Sequence, residues 1–113
     1  MRLWTGIRSV DAIDLLTVEG EVDFGTSDAF GNALETLVLD RAGEVLVDLR
    51  RVDFMDSTGI HHLVATRRRL QSQGRQLAVV CAPGPVHDVL ETVGLIDELD
   101  VHLTRSEAER SLS

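Results

Sequence analysis

The residues best suited to chemistry are Asp56-Ser57-Thr58-Gly59. They stand where an apolar, strand-like run gives way to a helix-like run. A serine in that place falls at or near a helix N-cap, where free N–H groups point outward and the helix dipole favours an anion. A phosphate on Ser57 could be received by those donors. The neighbours oppose it, because Asp53 and Asp56 lie beside Ser57 and Asp23 is expected near it in space. A dianion among carboxylates is repelled. Phosphorylation would therefore change this surface sharply, which suits a reversible protein–protein contact. The same residues also read as a plain cap, with Asp56 or Ser57 capping the helix and Gly59 letting the turn close. Spacing alone favours the cap.

Other chemistries find less support. There is no Gly-x-Ser-x-Gly elbow, and no histidine is placed by the sequence as a base for Ser57. A nucleotide-binding or hydrolytic enzyme would want a Gly-x-x-x-x-Gly-Lys-Ser/Thr loop or a metal-binding cluster, and neither occurs. His61 and His62 are adjacent, so on a helix they point about 100° apart and cannot chelate together. No metal, cofactor or catalytic residue is expected. The net charge of −8 argues against a nucleic-acid surface. The one basic cluster, Arg67-Arg68-Arg69, reads as a solvated helix face. The single cysteine, Cys81, allows no internal disulfide and reads as a buried small hydrophobe. No run of 18 apolar residues predicts a membrane span, and Asp11 and Asp14 interrupt any signal peptide, so a cytoplasmic protein is expected.

The elements that must position the Asp-Ser-Thr-Gly turn follow from periodicity. The chain has 113 residues, 43% of them hydrophobic, enough for one domain with a real core. Leu3 to Ile7 and Ile13 to Val18 read as two short strands around a turn at Ser9 to Asp11. Phe30, Ala33, Leu34, Leu37 and Val38 form one stripe of a helix over Ser27 to Leu39, capped by Thr26 or Ser27, with Asp28 suiting its positive start. Val45 to Leu49 is nearly all apolar, as a strand covered on both faces would be. A second helix is predicted from Thr58 to Gln73, with Ile60, Leu63, Val64 and Leu70 buried, Arg67 laying its stem on the core, and His61, His62 and Ala65 outside. Gly74 ends it. Leu77 to Val80 is another strand. Pro85 opens a third helix that stops at Gly94. Val101 to Leu103 is a last strand, and Thr104-Arg105-Ser106-Glu107 is a capping box opening a terminal helix. The order β-β-α-β-α-β-α-β-α predicts an α/β fold whose mixed, mostly parallel sheet has about five strands, with four helices.

The stretch Val52-Asp53-Phe54-Met55-Asp56-Ser57-Thr58-Gly59-Ile60 resembles the signature of the STAS-domain family, and specifically of bacterial anti-sigma factor antagonists. Gly20-Glu21-Val22-Asp23, Cys81-Ala82-Pro83 with Pro85-Val86, and Val93-Gly94-Leu95 resemble further blocks of that family in the same order. The resemblance spans roughly Ile13 to Leu103 and implies a single STAS domain over residues 1–113, free-standing rather than the tail of a transporter. It implies phosphorylation of Ser57 by a partner anti-sigma factor, itself an ATP-dependent serine kinase. The unphosphorylated antagonist would bind that kinase and free its sigma factor, and a PP2C-type phosphatase would restore binding. By the same resemblance Asp23 is a contact beside the serine, Asp56 positions it, and Thr58 and Gly59 complete the turn. Many relatives carry small or aliphatic residues where this chain has His61-His62, which we read as solvated neighbours of the switch; the sharper reading is that they set partner choice or respond to pH. Phe24 is an expected exposed anchor at an interface. The alternative is a STAS subunit of a transport or stress-signalling assembly that docks a partner without phosphorylation.

Overall fold

The computed structural model of the chain describes residues 2–113. Strands β1 (Leu3–Val10) and β2 (Ile13–Val22) form an antiparallel hairpin. Its turn is Asp11-Ala12, with φ of 51° and 68°. Two successive left-handed residues match the twist of the strands they join. Both strands therefore run on past their expected ends, and the turn falls later than the Ser9 to Asp11 expected from residue type.

Helix α1 (Ser27–Asp40) leads to β3 (Glu44–Met55), α2 (Ser57–Ser72), β4 (Leu77–Val80), α3 (Pro85–Thr92), β5 (Val101–His102) and α4 (Arg105–Leu112). The five strands lie in the order β1-β2-β3-β4-β5, and every pairing after the first is parallel. The predicted element order and the mixed, mostly parallel sheet are both observed.

Alternation along the strands divides the core in two. Leu16, Val18, Val45, Val47, Leu49 and Val79 face one side, against Phe30, Leu34 and Leu37 of α1, Leu63 and Leu70 of α2, and Leu90 of α3. Leu15, Leu46, Ala78 and Val80 face the other, against Ala108 and Leu112 of α4. β3 is thus covered on both faces, which explains its continuous apolar run. Cys81 is buried, and burial, with the charge of Asp48 adding to it, pushes its thiol up to about 11. It is an inert core residue.

The ends of α2 and α4 follow the predicted signals. Gly74, at φ 73°, closes α2 while the Gly74 and Arg75 amides donate to the Gln71 and Leu70 carbonyls. The Thr104 hydroxyl accepts from the Glu107 amide at 3.2 Å, as the capping box requires. The last turn of α1 carries no basic residue of its own. Arg75, buried, supplies the missing charge from a distance. Its guanidinium donates to the Leu37 carbonyl at 3.0 Å and to the Gly43 carbonyl at 2.8 Å.

α2 is rotated from its expected phase. Gly59, Leu63, Thr66 and Leu70 are its buried residues, while Ile60 and Val64 are only half-buried. The shift turns α2 toward α1. Arg67 is half-buried and lies 3.7 Å from Glu98, and Arg69 bonds Glu35 of α1. The basic cluster is therefore not wholly solvated, since two of its three members have acidic partners.

Candidate functional site

The last pair of the β2–β3 ladder is Val22 with Met55, and the Asp56 amide extends it by donating to the Val22 carbonyl at 3.0 Å. The loops leaving β2 and β3 therefore emerge side by side. This brings Asp23 close enough to Asp56 for their charges to oppose one another. Asp23 organises its own loop. Its Oδ1 accepts from the Gly25 amide at 2.9 Å and the Thr26 amide at 3.1 Å, and its other oxygen takes Arg2. Burial works to raise the Asp23 carboxyl, but Arg2 and the two amides outweigh it and hold it below the usual carboxylate range.

Thr26 occupies the N-cap position of α1 but makes no side-chain bond into the helix. Its hydroxyl instead accepts from the Asp23 amide at 3.0 Å and donates to the Glu21 carbonyl at 2.7 Å. Ser27 lies inside the helix. Neither of the two expected residues caps α1, because the loop uses Thr26 to hold itself together.

At α2 the choice between Asp56 and Ser57 is resolved. Asp56 is the cap, with extended backbone, and its Oδ1 accepts from the Thr58 amide at 3.0 Å and from the Thr58 hydroxyl. The Thr58 hydroxyl, then the Thr58 and Gly59 amides, lower the Asp56 carboxyl although burial and Asp23 work the other way. Ser57 is the first helical residue and is exposed. Among the described residues its hydroxyl has no hydrogen-bond partner. Gly59 is buried directly beneath. A Cβ built there would lie 2.7 Å from Val22 Cγ1 and 2.8 Å from Met55 Cγ, so only glycine lets α2 start this close to the strand ends.

Phe24, Ser27 and Asp28 form one wall of an open groove of about 620 Å³, and Ser57, Thr58, His61 and His62 form the other. Phe24 is 87% exposed, as an interface anchor would be. His61 is exposed as expected. His62 is not on the outer side. It is half-buried against α1, with Nε2 3.0 Å from Ser27 Oγ and its ring edge-on to Phe30 at a centroid distance of 6.4 Å. The rotation of α2 that buries Thr66 carries His62 inward. Asp53 is exposed but does not line the groove. No lysine or arginine lines it either.

The arrangement presents a hydroxyl without arming it. The carboxylate of the preceding residue, Asp56, is turned to Thr58, and among the described residues the one ring nitrogen with a serine partner bonds Ser27. Among the described residues no group of His, Cys, Asp and Glu could hold a metal ion, and no helix is long and apolar enough to cross a membrane.

Comparison with known proteins bears on the same segment. An anti-sigma-B factor antagonist of Listeria monocytogenes is 29% identical over 94 residues, covering 83% of this chain and 82% of that protein. The crystal structure of an anti-sigma factor antagonist from Mycobacterium paratuberculosis superposes with a TM-score of 0.91 at 24% identity, over 97% of this chain and 93% of that one. The Bacillus cell fate determinant SpoIIAA, solved in its phosphorylated form, superposes with a TM-score of 0.69 at 16% identity, over 97% of this chain and 100% of that one. The STAS domain model matches residues 7–108, which takes in the second half of β1, strands β2 to β5, the Asp-Ser-Thr-Gly turn and the first half of α4, and the chain belongs to the STAS domain family.

Proposed function

We propose that this chain is an anti-sigma factor antagonist whose binding is switched by phosphorylation of Ser57. In the unphosphorylated form it docks on an anti-sigma factor that is also an ATP-dependent serine kinase, and so releases a sigma factor. Phosphate on Ser57 ends the contact, and a PP2C-type phosphatase restores it. The observation that carries this reading is Ser57 itself, an exposed hydroxyl, unpartnered among the described residues, at the start of α2 in a groove without lysine or arginine. A phosphate placed there joins a groove that already holds Asp28 and no lysine or arginine, beside the Asp56 cap, so it adds negative charge to an acidic surface. Asp23, Phe24, Thr58, Gly59, His61 and His62 make up the rest of the docking surface and its support. The reading implies a cytoplasmic protein that catalyses nothing itself.

Intact-mass analysis of the protein recovered from its own cells, with and without phosphatase treatment, tests the proposal. A phosphatase-sensitive phosphate mapped to Ser57 is the expected result. In calorimetric titration against the kinase, Ser57→Ala should bind and Ser57→Asp should bind weakly. Equal affinity of the two variants would overturn the switch. ATP turnover by the isolated chain would overturn the non-enzymatic reading.

A further inference from the structure

We propose that His62 is a positioning residue, a latch that fixes the separation of the two groove walls. The walls belong to different elements. Phe24 and Ser27 ride on the loop and first turn of α1, while Ser57 and His61 ride on α2. Among the described residues, one side-chain hydrogen bond joins the two sets of lining residues, that of His62 Nε2 with Ser27 Oγ at 3.0 Å. Ser27 is 7% exposed, so its hydroxyl has little access to water as a substitute partner. Leaving such a group unpaired is costly, which gives the bond its weight.

A second observation, at Gly31, shows that the site is built for this ring. Glycine inside a helix is destabilising relative to alanine. A Cβ on Gly31 would lie 2.7 Å from His62 Cε1 and 3.0 Å from Nε2, so the glycine clears the volume the imidazole fills. The edge of Phe30, at an interplanar angle of 77°, closes the third side. Ser27, Phe30 and Gly31 of α1 thus form a socket, and His62 is the side chain that fits it.

The latch does not depend on protonation. A hydroxyl both donates and accepts, so Nε2 can bond Ser27 as a donor or as an acceptor. Its role is geometric: it sets where the start of α1, and hence Phe24, stands relative to Ser57. The functional weight of that separation rests on the groove being the partner surface proposed above.

Residue-resolved amide hydrogen exchange on the full chain tests the latch without any partner. The probes are the Thr26 amide, bonded to Asp23, and the Phe30 amide, bonded to the Thr26 carbonyl at 3.2 Å. His62→Ala should speed exchange at both by about tenfold beyond any change at β3 amides, because the lost bond raises local opening. His62→Gln, whose amide can reach the same hydroxyl, should return both to within about threefold of wild type. Ser27→Ala should move the His62 Nε2 resonance and leave that of His61 in place. Wild-type exchange at Thr26 and Phe30 in His62→Ala would overturn the proposal. So would an unmoved His62 resonance in Ser27→Ala, which decides the matter even if His62→Ala fails to fold. Failure here leaves the kinase reading standing, and a Ser57 that never carries phosphate would leave the latch standing.

Discussion

The Asp56 carboxylate reaches past Ser57 to Thr58, taking both its amide and its hydroxyl on one oxygen. Two adjacent hydroxyls are thereby made unequal. That of Thr58 is engaged and half-buried, and that of Ser57 is exposed. A kinase acting on this turn should therefore modify Ser57 and spare Thr58. Peptide mapping after kinase treatment checks it. Thr58→Val should keep its phosphate on Ser57, and Ser57→Ala should gain none. Phosphothreonine forming at wild-type rate in Ser57→Ala would contradict the assignment.

Phe24 projects from the β2–α1 loop with 87% of its surface exposed, so it adds little to the fold and offers its ring to a partner. Phe24→Ala should change unfolding free energy by less than about 0.5 kcal/mol, as surface substitutions do. It should cost about 2 kcal/mol of binding to the kinase, roughly thirtyfold in affinity, as loss of an aromatic anchor does. Urea unfolding and calorimetry separate the two effects. A variant that unfolds early and binds normally would show that Phe24 serves the loop.

Gly59 should tolerate no side chain. Alanine is the better helix former, but its Cβ would press on Val22 Cγ1 and Met55 Cγ at less than 3 Å. Overpacking of this kind costs about 1–3 kcal/mol. Gly59→Ala should therefore lower the urea midpoint despite its gain in propensity. Trimming the neighbour, as in Gly59→Ala with Met55→Ala, should recover part of the helix start while opening a cavity elsewhere.

The parts of the structure legible in the sequence are those with local causes. Apolar runs of strand length, three amphipathic stripes, Pro85, Gly74 and the Thr104 capping box are each decided within a few residues. The Asp-Ser-Thr-Gly turn was legible because Asp56, Ser57, Thr58 and Gly59 are contiguous. What was not legible depends on distant partners. Arg75 follows a helix-ending glycine and reads as loop, yet its partners Leu37 and Gly43 lie 38 and 32 residues earlier in the chain. Ala12 carries no turn signal, though its φ of 68° makes the hairpin. His62 looked solvated because the phase of α2 was read from its aliphatic residues, whereas Gly59 and Thr66 share its buried face. One signal could have corrected this. Gly31 interrupts a helical pattern, and a glycine there usually marks close packing against something bulky.

Asp48 offers the clearest prediction of pH dependence. It sits on β3 with Arg50, and residues two apart on a strand share a face. Arg50 grips it with the amide at 3.0 Å, Nε at 3.0 Å and Nη2 at 2.8 Å. Burial works to raise the Asp48 carboxyl, but these bonds, the Arg50 charge and the charge of Arg105 outweigh it, and the group stands below the usual carboxylate value. A carboxyl lowered on folding contributes stability that is complete above its unfolded pKa, about 3.9, and is lost as pH falls through its folded value. Urea unfolding should therefore show stability declining below about pH 4, with a shallower decline in Asp48→Asn. Asp23 and Asp56 are lowered as well and act in the same window, so the slope should shrink rather than vanish. Arg50→Met should raise the Asp48 titration, followed by its carboxyl carbon resonance, and make the decline shallower, because less separates the folded from the unfolded pKa. An Asp48 titration unaltered by Arg50→Met would assign the lowering to the residue-50 amide and to Arg105 instead.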